Sequence, residues 1–402
     1  MWANLEQAIS GFTDKVALSV EHDVSFDSLI SSARVLRKTN SGRHYAVVRF
    51  TNMLQFVTEL LAFDGYVEHL VLLPDGVDTD EVLRRIDADI KGDNWEKTSW
   101  WFASSGTTGI PSWNPHTSQQ LCRAVVTGEL QACLCWGLLY QATRFAGIQV
   151  ILQSLLSGAK LVDAVSVNPQ TSLNIMLSNG VNALSATPSI YRRLMMAKGI
   201  ECLQPQFVSI GGEIAEQTLL DQINSLFPKA KVSHIFAASE LGVGFAVSDG
   251  LAGFPLSWLN NSKRFPMLSI DSDDCLLLKV TVEKDYINTG DKVTVKEGRV
   301  YFQGRRSGLI NVGGNKVYPE YIESVLHQCP QVLHARVYPK SNPIMGQLVA
   351  ADIVSTEKDP KLAQKQILEH CNRILQRYQI PMFFRWLDSI DVALTGKVKR
   401  NE

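Results

Sequence analysis

An apolar run, Trp100-Trp101-Phe102-Ala103, gives way to six consecutive residues that are all Ser, Thr or Gly, from Ser104 to Gly109. This junction constrains the chain more than any other stretch. The run predicts a short buried strand, and the strand must deliver a loop whose chemistry is confined to hydroxyls and backbone. Glycines let the backbone turn back and bring its N–H groups close to an anion, while the hydroxyls add further donors. Such a loop suits a polyphosphate tail. The same composition also makes an ordinary surface turn. The usual nucleotide P-loop ends in Gly-Lys-Ser/Thr, whereas this loop continues Ile110-Pro111-Ser112-Trp113.

Around the loop, strand and helix patterns alternate. Residues 16–20 and 45–50 read as strands, and so does 70–73, just before Pro74-Asp75-Gly76. Ser25 is placed to cap a helix whose apolar positions are Leu29, Ala33 and Leu36, and a second helix spans 52–61. This order predicts an α/β layer with parallel strands. Further on, helices are expected over 118–135 and over 147–156, the latter ending at Gly158, and another opens at Pro188. Strands are expected at 207–210 and 232–236, and a hairpin over 293–302. The last hundred residues read as a helix from Pro319, strands at 335–338 and 348–353, a helix over 360–377 and a strand at 383–387.

Composition bounds the partners. A chain of 402 residues is too long for one ordinary core and predicts two or three domains. Its 39 Lys plus Arg nearly balance 40 Asp plus Glu, so neither nucleic acid nor an anionic membrane is expected as a partner. Seven cysteines without metal spacing point to a reducing, cytoplasmic setting. No signal peptide is legible at the N-terminus, and no apolar run reaches the about 18 residues of a membrane span.

Ser-Ser-Gly-Thr-Thr-Gly-x-Pro, here Ser104, Ser105, Gly106, Thr107, Thr108, Gly109, Ile110 and Pro111, resembles the phosphate-binding loop of the adenylate-forming (ANL) superfamily. Its members are acyl- and aryl-CoA synthetases, luciferases and the adenylation domains of peptide synthetases. The family usually continues Pro-Lys-Gly, so the loop lysine is missing here. Further motifs follow in the family's order. Tyr140 to Gly147 resembles the segment where many acyl-CoA synthetases carry Pro-Leu-x-His, with Arg144 in the histidine's place and Phe145 and Gly147 beside it. No aspartate lies between Cys135 and Lys160, which counts against an α-amino acid substrate. Gly211-Gly212-Glu213 is similar to the turn that passes along the adenine face. Phe236-Ala237-Ala238-Ser239-Glu240 is similar to Tyr-Gly-x-Thr-Glu, in which the aromatic stacks on adenine, the hydroxyl reaches the α-phosphate and the carboxylate holds Mg²⁺.

Thr289-Gly290-Asp291 and Gly304-Arg305 resemble the family's two ribose contacts. A carboxylate can accept both hydroxyls of a vicinal diol, although the same three residues elsewhere make a hairpin edge. Val312-Gly313-Gly314-Asn315-Lys316-Val317-Tyr318-Pro319 resembles the start of the family's mobile C-terminal domain, with Arg306-Ser307 as hinge. Thr395-Gly396-Lys397-Val398-Lys399-Arg400 resembles the terminal motif that carries the adenylation lysine, here Lys397.

The resemblance implies an α/β fold. A large domain over 1–304 would hold two α/β layers and a small β-barrel portion near 255–303. A hinge at 305–307 would lead to a mobile α+β domain over 308–402. Relative to the family, the opening segment looks shorter by tens of residues. The implied reaction uses ATP and Mg²⁺ to turn a carboxylic acid into an acyl-adenylate, then passes the acyl group to the thiol of CoA. A phosphopantetheinyl carrier protein as acceptor and a non-catalytic adenylate-binding module are the alternatives. In that reading Lys397, Ser239 and Glu240 are catalytic, with Glu240 the metal ligand. ATP and AMP are held by 104–109, Gly211, Gly212, Glu213, Phe236, Ala237, Ser239, Asp291 and Arg305. Arg144, Phe145 and Gly147 line the acid pocket, and Gly313 with Gly314 lines the thiol channel. For Arg144 the alternatives are an anionic group on the substrate, a protein carboxylate such as Glu213, or solvent.

Overall fold

The computed structural model describes residues 4–40, 44–89, 97–103, 113–238, 242–280 and 285–390. The expected α/β architecture is present as two sheets, of eight and four strands, with helices packed between and outside them. In the smaller sheet Tyr45–Arg49, His69–Leu73 and Ser99–Ala103 run parallel, and Trp113–Thr117 closes the edge antiparallel. His69–Leu73 is buried at every position, as a parallel strand covered on both faces must be. Positions 104–112, which hold the Ser/Gly loop, connect the paired strands Ser99–Ala103 and Trp113–Thr117 and lie outside the described residues.

The larger sheet is parallel except at its two edges. Its order is Gly242–Val247, Lys231–Ala238, Phe207–Gly211, Ala183–Ala186, Cys135–Leu138, Lys160–Asp163, Val16–Ser19 and Asp23–Ser25. Two cores lie on its faces. One, between the sheets, takes Trp100 and Phe102 from the smaller sheet, Leu138 and Leu161 from the larger, and Leu60 and Ile151 from the helices Met53–Phe63 and Phe145–Ser157. The other takes Leu173, Tyr191 and Leu220 from the helices Pro169–Ser178, Pro188–Met195 and Gln217–Leu226.

This division creates a switch point. Cys135–Leu138 and Ala183–Ala186 are neighbours, but the chain leaves the first toward one core and the second toward the other. A crevice therefore opens at the carboxyl ends of these strands, the place where open α/β sheets bind ligands.

Local signals set many of the boundaries. Ser25 accepts a hydrogen bond from the Ser28 amide and caps Phe26–Thr39, and Thr187 caps Pro188–Met195 in the same way. The helix expected over 118–135 does not form. Two four-residue helical segments, Ser118–Leu121 and Glu129–Ala132, stand there instead, followed by the strand Cys135–Leu138. A capping box on Thr117 starts the first segment; Val125 is extended, and Gly128 has a φ of 133°, which no helix accommodates. The buried strand that begins at Cys135 is not among the expected elements.

An antiparallel sheet of five strands occupies the region of the expected barrel portion: Phe254–Pro255, Arg299–Arg305, Ile287–Lys296, Cys275–Lys279 and Met267–Ile270. Among the described residues it runs from edge to edge without closing, and Phe245 and Val247 of the larger sheet cover its apolar face. Beyond Gly308 lies an α+β unit. Its strands Asn315–Val317, Ile310–Val312, Gly346–Ser355 and Val332–Asn342 pair antiparallel, with Phe383–Trp386 added parallel to Gly346–Ser355. The helices Pro319–Leu326 and Pro360–Ile374 complete its separate core.

Candidate active site

A cavity of about 1240 Å³ lies between the large domain and the α+β unit. It exceeds the roughly 300–1,000 Å³ usual for a small-molecule site, as expected of a cleft bounded by two domains. Gly212, Glu213, Phe236, Ala237, Asp291 and Arg305 all line it. These residues come from three separate segments of sequence. Parallel pairing sets Gly211 opposite Ile235, so the turn after the first strand and the aromatic end of the second emerge side by side. Gly212 has a φ of 83° and needs to be glycine; Gly211 has room for a side chain.

Asp291 and Arg305 are cross-strand neighbours, 3.3 Å apart from Oδ1 to Nε. Thr289 positions the carboxylate, its hydroxyl donating to the Leu276 carbonyl and accepting from the Asp291 amide. Next to them Gly304 has a φ of 144°, and a methyl group there would meet a Glu320 carboxylate oxygen at 2.4 Å. That glycine lets the helix Pro319–Leu326 of the α+β unit close against the strand. Glu213 accepts from the Ser189 amide in the first turn of Pro188–Met195, which ties the glycine turn to a helix start where negative charge is favoured. The Phe236 ring stacks on Phe245 at 5.3 Å and on Phe302 at 5.2 Å while still lining the cavity. Phe302 is therefore an aromatic of the wall that motif reading passed over; its alternation in Val300-Tyr301-Phe302 was the available signal.

Arg192, Glu216, His327 and His334 also reach the cavity. Glu216 sits 2.5 Å from Arg192 and about 3 Å from the His327 imidazole. Burial by itself would raise the Glu216 carboxyl, but Arg192 and then His327 outweigh it and bring it down to about 2. Nothing in the sequence pairs these residues, since 24 and 111 positions separate Glu216 from its two partners.

Arg144 is not among the lining residues of this cavity; it stands past the carboxyl end of Cys135–Leu138, at the switch point. It is the N-cap residue of Phe145–Ser157 and half-buried, and its Nη1 donates to the Ala103 carbonyl at 3.3 Å. Among the described residues Arg144 makes no ion pair, and its buried Nε has no hydrogen-bond partner. Burial pulls it below the ordinary guanidinium value. Glu213 is engaged elsewhere, on the Ser189 amide. The Phe145 ring packs on Phe102 and His116. Asn114 stands opposite Phe102 in the ladder, and its buried Nδ2 also lacks a partner, as does Gln141 Oε1. Gly147 serves a close approach, because a methyl group there would lie 2.1 Å from the Gln141 carbonyl oxygen.

The remaining expected residues fall elsewhere. Gly313 and Gly314 form the turn between Ile310–Val312 and Asn315–Val317 and are not among the cavity's lining residues. Met345 covers Gly313, its carbonyl accepting from the Gly313 amide. Arg306 pairs with Asp273 at 3.2 Å on the surface, and Arg306 to Gly308 form a single 3₁₀ turn. Ser104, Ser105, Gly106, Thr107, Thr108, Gly109, Ser239, Glu240 and Lys397 lie outside the described residues. Among the described residues no group of three His, Cys, Asp or Glu side chains could hold a metal ion, and no helix is long and apolar enough to cross a membrane.

Comparison with known proteins adds to this geometry. The family described as AMP-binding enzyme matches residues 58–265, and the AMP-binding enzyme C-terminal domain matches 321–397. The human mitochondrial acyl-coenzyme A synthetase ACSM5 is 30% identical over 123 residues, 29% of this chain and 21% of that protein. The 2-succinylbenzoate–CoA ligase of Staphylococcus aureus (strain MSSA476) is 24% identical over 279 residues, 64% of this chain and 56% of that protein. The matches thus span between a fifth and just over half the length of these relatives. Among solved structures, the anthranilate CoA ligase AuaEII with anthranoyl-AMP superposes with a TM-score of 0.75 at 14% identity, covering 99% of this chain and 97% of that one. The o-succinylbenzoate CoA synthetase of Bacillus subtilis with its acyl-adenylate intermediate gives 0.68 at 18% identity, covering 99% and 97%. At such identities the likeness is one of fold.

Proposed function

The chain belongs to the AMP-binding enzyme family, and from that premise we propose that it is an AMP-forming acid–CoA ligase. One observation carries the reading. Asp291 and Arg305 form a cross-strand pair on the wall of the interdomain cavity, which the glycine turn and the Phe236 strand end also line. A carboxylate that can accept two hydroxyls beside a guanidinium suits a ribose, and the neighbouring aromatic wall suits a base.

The chemistry is direct. A carboxylate is a poor electrophile because its leaving group would be oxide. Its oxygen attacks the α-phosphorus of ATP, the bond to the bridging oxygen breaks, and pyrophosphate leaves. The thiolate of CoA then attacks the acyl carbon of the adenylate, and AMP leaves as the thioester forms. Positioning and neutralisation of the crowded anions are the protein's main contributions. Lys397 would bridge acyl and phosphate oxygens, Ser239 would reach the α-phosphate, and Ser104 to Gly109 would receive pyrophosphate. Mg²⁺ would accompany the nucleotide, with Glu240 as its ligand. Gly313 and Gly314 would border the thiol once the small domain has turned about Arg306-Ser307. All seven cysteines are unpaired thiols, which supports a reducing cytoplasmic setting.

The acid carries a second anionic or acceptor group. Arg144 supports this, as a half-buried cation that, among the described residues, has an unpartnered Nε and no carboxylate in contact. One relative acts on 2-succinylbenzoate, an acid of that class. Pyrophosphate release over a panel of acids, with CoA or a phosphopantetheinyl carrier added, tests the proposal. Release with a doubly functionalised acid, followed by CoA thioester, is expected. Thioester on the carrier alone would make the carrier protein the acceptor, and no release with any acid would leave a non-catalytic adenylate-binding module.

A further inference from the structure

The large domain and the α+β unit share a buried charged contact that reaches the same cavity as the nucleotide wall. Arg192, in the helix Pro188–Met195, reaches the Glu216 carboxylate, and from the other domain His327, at the end of Pro319–Leu326, reaches the same carboxylate. The three side chains are 6%, 12% and 7% exposed. Backbone chemistry fixes the imidazole's state. The Ala335 amide donates to His327 Nε2 at 3.1 Å, so Nε2 is a bare acceptor and Nδ1 carries the hydrogen that goes to Glu216. His327 is thus neutral, and the charge on Glu216 is balanced by Arg192.

That division of labour has a consequence for movement. When the small domain leaves, Glu216 keeps its guanidinium, and His327 keeps its Ala335 amide. Only a hydrogen bond from a neutral ring to a carboxylate is exchanged for water. No buried charge is stranded, which is the usual obstacle to opening an ionic contact. Glu216 also ends the segment that begins at Gly212 and Glu213, so the contact is joined through four residues of chain to the nucleotide wall.

We propose that Arg192, Glu216 and His327 form a domain latch, in which a large-domain carboxylate held by its own arginine is gripped reversibly by a neutral histidine of the small domain. The latch holds the orientation seen here and releases when His327 is removed or protonated. A proton on Nε2 would face the Ala335 N–H and break that bond. The groups that face the ring are Arg192 and Glu216, with His334 stacked at 6.2 Å and Arg193, Glu213 and Glu323 nearby. Burial first, and Arg192 next, push His327 below the ordinary imidazole value, against the pull of Glu216. The latched state therefore binds fewer protons than the open one. It is fully favoured above the ordinary imidazole value of about 6.5 and loses up to about tenfold in population per pH unit below it.

The test uses the full chain with a spin-label pair at the exposed positions Lys229 and Lys365, introduced as unnatural residues so that the cysteines stay untouched. Interdomain distances are compared at pH 8 for the parent, His327→Ala and His327→Gln. Loss of one hydrogen bond to a charged group should shift the ratio of orientations by about 10- to 100-fold in His327→Ala. His327→Gln can still accept from Ala335 and donate to Glu216, and should restore the parent distribution. An unchanged distribution in His327→Ala, or an equal shift in both variants, overturns the latch. If a variant fails to fold, the parent is titrated from pH 8 to 5.5 while its small domain remains folded by circular dichroism. A shift toward the open distances supports the latch, and a constant distribution overturns it.

Discussion

The two sides of the crevice treat charge in opposite ways. On the nucleotide side every charged group discussed has a protein partner: Asp291 has Arg305, Glu213 has the Ser189 amide, and Glu216 has both Arg192 and His327. On the acid side, among the described residues, Arg144 makes no ion pair, and its Nε, Asn114 Nδ2 and Gln141 Oε1 are buried without a hydrogen-bond partner. An unsatisfied buried polar atom costs about 1–3 kcal/mol, and more for a charged group. A fold tolerates such a cluster where a ligand completes it. On the proposed function, the nucleotide side is a pre-set scaffold and the acid side is finished by its substrate.

The largest break in this contrast comes from Lys397→Ala, which should abolish adenylate formation yet leave thioester formation from supplied acyl-adenylate largely intact. Stopped-flow assay of the two half-reactions measures it, and equal loss of both would remove the two-orientation scheme. Asp291→Ala comes next. It removes two charge-assisted hydrogen bonds of about 1.5–3 kcal/mol each, so ATP affinity should fall by roughly two orders of magnitude or more. A tenfold effect or less in equilibrium binding would reduce Asp291 to a turn residue.

The scaffold side should also answer in stability. Arg192→Ala strands Glu216 in the interface and should cost about 3–5 kcal/mol in chemical denaturation, with or without substrate. Glu216 adds a second signature. Its carboxyl lies at about 2 against an unperturbed 4.5, so its contribution is complete above pH 4.5 and is lost as pH falls toward 2. Glu216→Gln should flatten that part of a stability–pH profile.

The smallest effect sharpens the acid side. Arg144→Ala should lower kcat/KM by about 1.5–3 kcal/mol for an acid bearing a second acceptor group and leave a plain acid nearly unaffected. Equal losses on both acids would assign Arg144 to the scaffold and erase the contrast.

Local chemistry explains which elements were legible. Ser25, Thr187 and Pro319 announce helix starts because a cap or a proline acts within one turn. The strand Ser99–Ala103 declares itself by four consecutive apolar residues. Cys135–Leu138 starts where the expected helix ends and does not read as a strand, since a short, fully buried strand has no alternation to show. The recurring motifs pair Asp291 with Arg305, and the hairpin register shows why they are neighbours; their place on one sugar belongs to the proposed function.

By itself, then, the sequence determined the α/β order, the caps, the family and the motif residues Gly212, Glu213, Phe236, Ala237, Asp291 and Arg305 that meet at the interdomain cavity, because each depends on contacts within a few positions or on a motif with its own spacing. Tertiary structure alone decided that Phe302 stacks on Phe236, that Arg144 makes no ion pair among the described residues, and that Glu216 is shared across the domain interface. The reason is physical. Burial and partner choice belong to surfaces that meet only when distant segments fold together, and a carboxylate 111 residues from its histidine carries no local mark of that meeting.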